Sequence, residues 1–143
     1  SLVTFAQNKN SHVMPINASL EADLSLLDED EASVFLEDMG LSEAILERFV
    51  QQAYSFLGLE TYFTVGPKEA RAWTIDKCTP APKAAGKIHS DFERGFIAAE
   101  VVSYRDYVEY KSEPSLKKAG KWRTEGKTYL VEDGDVVLFR FNV

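Results

Sequence analysis

Residues 59–75 read Leu-Glu-Thr-Tyr-Phe-Thr-Val-Gly-Pro-Lys-Glu-Ala-Arg-Ala-Trp-Thr-Ile, and this stretch decides the fold. Leu59, Thr61, Phe63 and Val65 alternate with Glu60, Tyr62 and Thr64. A period of two belongs to a strand whose two faces meet different surroundings. Gly66-Pro67-Lys68-Glu69 is a turn signal, and beyond it Arg71, Trp73 and Ile75 alternate with Ala70, Ala72 and Thr74. The stretch is therefore a hairpin. Downstream, Thr79-Pro80-Ala81-Pro82 reads as an extended loop, because a residue before proline is pushed out of helical conformation. Lys83–Ser90 is a short helix that turns Ala84, Ala85 and Ile88 inward. Ile97, Ala99 and Val101 make a third strand. Glu132-Asp133-Gly134-Asp135 is a tight turn, and the final strand carries Val137, Phe139, Phe141 and Val143 on one face. Two strands, a helix, a strand and two short closing strands describe a small mixed sheet gripping one helix. The predicted fold is α+β on the β-grasp, or ubiquitin-like, plan. Its expected core is Leu59, Phe63, Trp73, Ile75, Ile88, Ile97, Val101, Val137, Phe139 and Phe141.

Upstream of Gly58 the period is helical. Residues 12–18 form a short apolar run of the kind that ends a buried strand. Leu20, Leu24 and Leu27 then have helical spacing, and Asp28 with Glu31 forms a capping box with Asp in the Ser/Thr place. Phe35 and Met39 share a face, and Gly40-Leu41 is a left-handed stop followed by its hydrophobic contact. Ser42 is a cap for the next helix, whose apolar stripe is Ile45, Leu46, Phe49, Val50, Ala53 and Leu57. Gly58-Leu59 repeats the stop. The predicted organisation is a strand and a helical pair over 1–58, followed by the sheet domain over 59–143.

Composition narrows the function. The 143 residues are 45% hydrophobic and 27% charged, which excludes a wholly disordered chain. No apolar run reaches the roughly 18–20 residues of a membrane span, so no membrane role is expected. Ser1–Asn10 has neither a basic start nor a long apolar core, so no secretory signal is expected, and the single cysteine fits a reducing, cytoplasmic setting. The chain opens on Ser1 rather than Met, as a piece of a longer protein would. One cysteine, Cys78, excludes an internal disulfide and a multi-cysteine zinc site. His12 and His89 lie far apart, so no metal site is expected. Neither Cys78 nor His89 has a third, orienting group at a visible spacing, so no catalytic residue is assigned.

The net charge of −7 is unevenly spread. In residues 1–58, Lys9 and Arg48 stand against ten acids, a balance of −8. Residues 59–143 carry 14 basic and 13 acidic side chains. Within them, Lys111–Lys127 sets six basic residues against Glu113 and Glu125, or +4.

Three strings carry a resemblance: TYFTVGPKEARAWTI (Thr61–Ile75), AAGKIHSDFERGFI (Ala84–Ile97) and VEDGDVVLFRFNV (Val131–Val143). The block from Leu59 to Val143 resembles the TGS domain that ends YchF-type GTPases, also called Obg-like ATPases. VMPINASLEADL (Val13–Leu24) is similar to the last strand of that family's nucleotide domain and the loop after it. The looser pattern, an Ile-His-Ser-Asp segment followed by a Gly-Asp-Val-Val strand, is shared with threonyl-tRNA synthetases and stringent-response enzymes.

The resemblance implies that the chain is the C-terminal portion of a P-loop protein that binds and hydrolyses ATP or GTP with Mg and associates with ribosomes. The chain itself has no Gly-x-x-x-x-Gly-Lys-Ser/Thr loop, no strand-end Asp for magnesium and no base-reading Asn-x-x-Glu motif. By itself it is expected to bind no cofactor and to hydrolyse nothing.

Asn17, Ala18 and Ser19 align with the family's fifth nucleotide motif, a small-residue loop beside the base, with Asn17 replacing the usual small residue. The plain alternative is a turn in which Ser19 caps the next helix. Lys117, Lys118, Lys121, Arg123 and Lys127, with Trp122 between two cations, are the candidate contacts to RNA or the ribosome, since charge interleaved with an aromatic suits nucleic acid. The plain alternative there is a solvated helix and loop. Trp73, Tyr62 and Phe63 also suit stacking but sit at core spacing. His89 reads as a helix-end residue bonding to backbone. The expected function is a monomeric, non-catalytic ribosome- or RNA-binding module, and the alternative is a protein–protein adaptor using the sheet.

Overall fold

The hairpin forms where the period-two stretch lies. A computed structural model describes every residue other than Asn10, Ser42, Glu43, Pro67, Lys68 and Val143. Strands β1 (Leu59–Val65) and β2 (Ala70–Asp76) pair antiparallel, Leu59 opposite Asp76 and Val65 opposite Ala70. At the turn, the Gly66 N–H donates to the Glu69 carbonyl at 2.9 Å. Pro67 and Lys68 of the expected turn, the expected Ser42 cap and Val143 lie outside the described residues.

The chain divides into two units, Ser1–Leu57 and Gly58–Val143. In the second, helix α5 (Ala81–Ile88) starts at Pro80, with Pro82 in its first turn where a missing N–H costs nothing. Helix α6 (Ser90–Arg94) follows, then β3 (Phe96–Ser103), α7 (Tyr104–Tyr110), α8 (Glu113–Lys118), β4 (Arg123–Glu125) and β5 (Asp135–Phe141). The sheet order is β2-β1-β5-β3-β4. Strands β1 and β5 are parallel, Phe63 opposite Val136, and the other pairs are antiparallel. This is an α+β unit built on one mixed five-stranded sheet.

One sheet face packs Tyr62, Ile75, Ala99, Val101, Val137 and Phe139 against Ala81, Ala84 and Ala85 of α5. The small alanines let helix and sheet approach closely. Tyr62 is fully buried, and its hydroxyl donates to the Ala84 carbonyl at 2.8 Å. Burial pushes its phenol far above the ordinary range. The opposite face carries a second cluster: Val102, Val136 and Leu116 with Phe63, Tyr107, Tyr110 and Trp122 packed against them.

Four expected core residues are corrected: Leu59 and Phe141 are only half-buried and stand outside the helix-facing cluster, and two more face elsewhere. Phe63 belongs to the second cluster, not to the helix-facing core, because β1 turns Tyr62 toward α5. Ile97 is 58% exposed, because the register of β3 against β5 shifts between Phe96 and Ala98. Such a bulge lets Phe96, Ala99 and Val101 all serve one core while Ile97 turns outward.

The first unit is helical: α1 (Leu2–Asn8), α2 (Ala18–Leu24), α3 (Glu29–Asp38) and α4 (Ile45–Leu57). The Asp28–Glu31 capping box is present, with the Glu31 N–H donating to Asp28 at 2.9 Å. Gly40 and Gly58 stop α3 and α4 at φ +68° and +67°, values L side chains rarely adopt. The strand expected at residues 12–18 does not form: residues 11–17 are irregular and Ala18 opens α2. A strand needs a hydrogen-bonded neighbour, and the described residues of this unit offer none. Among them only Ala6 and Leu24 are buried, while Leu2, Phe5, Leu26, Leu46 and Leu57 are 64–84% exposed.

Candidate functional site

The +4 segment, Lys111–Lys127, follows directly on α7 and folds as one short helix, α8, and the edge strand β4. Ser103 caps α7, its Oγ accepting from the Asp106 N–H at 3.1 Å and donating to the Asp106 carboxylate at 2.8 Å. Lys111 ends α7 in left-handed conformation, φ 55°. Ser112 then caps α8, and Leu116 anchors that helix in the second cluster.

The cations are not equivalent. Lys117 donates to Glu113 at 2.5 Å, an i,i+4 pair, and its Nζ sits 5.5 Å from the centre of the Trp122 ring. Lys121 pairs with Asp106 at 3.2 Å. Arg123 donates to the Tyr129 hydroxyl at 3.2 Å and lies 3.6 Å from Asp135 and 3.7 Å from Glu125. Tyr129 in turn donates to Asp135 at 2.6 Å. Burial, then the bond to Asp135, push the Tyr129 phenol well above its usual range. Burial disfavours the charge on Arg123, yet Tyr129 and Asp135 outweigh it and raise its pKa. Lys118 and Lys127 are exposed, and among the described residues neither makes an ion pair. Lys111, outside the expected contact set, has the same character. The sequence held one signal for this difference: the Glu113–Lys117 spacing marks Lys117 as paired. Trp122 is half-buried, and its indole N–H is buried with no acceptor among the described residues.

The Ser103 hydroxyl above all, with Lys121 and Arg105, holds the Asp106 carboxyl below the usual carboxylate range. A depressed folded-state pKa contributes stability above the unfolded value of about 4, and that contribution is lost as pH falls through the folded value. Asp106→Asn should therefore melt with a flatter pH dependence below about pH 4 than the parent chain. Parallel melting curves from pH 2.5 to 7 check this, and identical slopes would contradict it.

Asn17, not Ser19, caps α2: its Oδ1 accepts from the Leu20 N–H at 3.3 Å. Asn17 also lines a shallow cavity of about 270 Å³ with Glu21, Ile45 and Arg48, where Glu21 accepts from the Ile45 N–H at 3.2 Å. His89 caps α6, its Nδ1 accepting from the Asp91 N–H at 3.1 Å, which requires an unprotonated Nδ1. Cys78 is exposed and stands in the turn after β2. Trp73 donates to the Thr64 hydroxyl at 2.9 Å and lies under the Arg71 guanidinium. No group of three or more His, Cys, Asp or Glu among the described residues is arranged to hold a metal ion. No helix among them is long and apolar enough to cross a membrane.

Residues 59–142 match the family model YchF-GTPase_C, described as a protein of unknown function (DUF933). The chain is 51% identical over 138 residues to the ribosome-binding ATPase YchF of Pasteurella multocida, covering 96% of this chain and 38% of that protein. It is 48% identical over 130 residues to Obg-like ATPase 1 of Gallus gallus, covering 91% and 33%. Among solved structures, the YchF GTPase of Schizosaccharomyces pombe superposes with a TM-score of 0.76 at 37% identity, covering 91% of this chain and 34% of that one. The chain thus spans about a third of the length of these relatives. With the model match running from the first residue of β1 to the residue after β5, the chain belongs to the YchF-GTPase_C family.

Proposed function

We propose that this chain is the C-terminal portion of a YchF-type nucleotide hydrolase, and that residues 59–143 are its TGS domain, a non-catalytic module docking on the ribosome or its RNA. The sheet order β2-β1-β5-β3-β4, with β1 and β5 parallel and α5 on one face, supports the β-grasp reading. The length of the relatives supports a larger parent. So does the first unit, whose exposed leucines and phenylalanine call for a further surface to cover them. Residues 1–58 are, in this reading, the end of the nucleotide domain, and Asn17, Ala18 and Ser19 lie beside the base in the parent. ATP or GTP with Mg belongs to the parent alone. The 143 residues hold no phosphate-cradling loop, and the side chain of Asn17 is engaged on Leu20, so the chain by itself does not fit a nucleoside triphosphate. The intact protein is cytoplasmic and monomeric in this reading.

The observation that carries the docking role is the exposed, unpaired state of Lys111, Lys118 and Lys127 in a +4 segment of an acidic chain. The chain should co-sediment with purified ribosomes at low salt and be released as salt rises. Calorimetry on the same sample should show no ATP or GTP binding tighter than about millimolar, since phosphate contacts supply most nucleotide affinity. Absence of co-sedimentation at any salt would favour an adaptor working through the sheet, and micromolar nucleotide binding would overturn the non-catalytic assignment.

A further inference from the structure

We infer that the outer edge of β2 is a self-pairing site: a second copy of this chain adds its own β2 antiparallel to it, with Trp73 opposite Trp73 on a two-fold axis. The inference goes beyond the proposed function and does not rest on it.

The sheet ends on β2 at one side and on β4 at the other. An edge strand presents a row of backbone N–H and C=O groups, a template for another chain unless the strand is short, bulged or carries proline. β4 is blunted in this way, being three residues long. β2 is not. It runs seven residues, Ala70–Asp76, holds neither proline nor glycine, and keeps an unbroken register against β1.

Two hydrogen bonds fix the backbone directions. The Glu69 carbonyl accepts from the Gly66 N–H at 2.9 Å, and the Lys77 N–H donates to the Gly58 carbonyl at 2.7 Å. Directions alternate along an antiparallel ladder, so the odd residues of β2 turn their backbone groups toward β1, while Ala70, Ala72 and Asp76 turn theirs outward. All three are exposed.

The charges select both the partner and the register. A two-fold axis normal to the sheet sets odd residues opposite odd ones. With Trp73 on that axis the whole of β2 overlaps, Ala70 opposite Asp76 and Arg71 opposite Ile75. Just beyond, exposed Glu69 stands opposite exposed Lys77, twice by symmetry. Opposite charges directly across a ladder support it, and like charges oppose it. Moving the axis one residue on shortens the ladder and sets Arg71 opposite Lys77. Moving it one residue back shortens the ladder equally and separates Glu69 from Lys77. Helix α5 does not obstruct the pairing. It is held over β1 by the Tyr62 hydroxyl on the Ala84 carbonyl. The two copies of α5 therefore stand about three strand spacings apart, roughly 14 Å, against the roughly 8–10 Å at which helices touch. One strand edge is small beside the roughly 1,200 Å² of a stable complex, so the dissociation constant is on the order of 0.1 mM and the dilute protein stays monomeric.

Sedimentation equilibrium of the whole chain from about 0.02 to about 1 mM should show monomer passing to dimer. In hydrogen exchange, the Ala72 and Asp76 amides should slow about threefold or more between those concentrations. Ala72→Pro removes an outward N–H, leaves the β1 ladder whole, and should weaken the dimer about tenfold or more. Lys77→Glu sets Glu opposite Glu and should weaken it about threefold or more, and adding Glu69→Lys should restore it to within about twofold. No dimer at the highest concentration would overturn the inference. So would a dimer that Ala72→Pro and Lys77→Glu leave unchanged, which would assign association to the exposed apolar side chains of Ser1–Leu57. If Ala72→Pro lowers the melting temperature, the charge swap decides alone: loss in Lys77→Glu without recovery in the double variant would overturn self-pairing in this register.

Discussion

Phe139→Ala should abolish cooperative folding of the Gly58–Val143 unit at physiological temperature. Phe139 stands on β5, between β1 and β3, with its side chain on the α5 side of the sheet. Its ring meets Tyr62 edge-on at 5.8 Å and Phe96 at 6.2 Å. Removing it opens a cavity beside both rings, within the cluster that also holds Val101 and Val137. Phe→Ala in a core costs about 3–5 kcal/mol, and a small domain holds only about 5–10 kcal/mol in all. Circular dichroism melts of parent and variant decide it: a melting temperature lowered by less than about 5 °C would mean that Phe139 is not core. Phe139→Leu, which keeps most of the volume, should be much milder.

Gly95→Ala should be strongly destabilising, although only one carbon is added. Gly95 lies between α6 and β3 and has an ordinary backbone conformation, φ −91°. The constraint is space. A Cβ there would stand 2.8 Å from the Asn142 carbonyl carbon and closer still to its oxygen. Gly95 is itself held, its N–H donating to Asp91 at 2.8 Å and its carbonyl accepting from Asn142 at 2.9 Å. Relief requires Asn142 to retreat. That breaks the bond and drags Phe141 from its stack on Phe92, where the ring centres are 3.7 Å apart. Overpacking of about 1–3 kcal/mol plus a lost hydrogen bond of about 1 kcal/mol should lower the melting temperature by roughly 10–20 °C. Gly86→Ala is the control. Its Cβ would meet the Glu93 side chain, which can swing away at the cost of an exposed pair with Lys83, worth under about 1 kcal/mol. Equal melting temperatures for the two variants would refute the argument.

Much of the fold was legible because local chemistry and the final structure agree. The hairpin of β1 and β2, the Asp28–Glu31 capping box and the stops at Gly40 and Gly58 all rest on short-range rules. What failed needed long-range information. Tyr62 and Phe63 are adjacent aromatics, and alternation says they face opposite ways without saying which faces α5. Tyr62 goes inward because its hydroxyl finds the Ala84 carbonyl. The Ile97 error has the same origin, since a bulge is a property of two strands and not of one. Helix α7 was not foreseen, because three tyrosines in seven residues read more like strand than helix and only the Ser103 cap argues otherwise. At the candidate interface the sequence supplied the charge but not its partners. Asp106 for Lys121 and Asp135 for Arg123 come from 15 and 12 residues away, so a count of +4 overstated how many cations are free.

The parallel pairing of β1 with β5 sets the order of events during synthesis. Phe63 finds Val136 only after 73 further residues have been added. The hairpin can form as it emerges, but the sheet cannot close until β5 is available to slot between β1 and β3. Until then Tyr62 and Val101 lack the strand that buries them, and their faces stay open to other chains. Contacts so far apart in sequence also make the closing step slow. A nascent chain paused before Asp135 should therefore be sticky and protease-sensitive, and one released past Phe141 should become resistant in a single step.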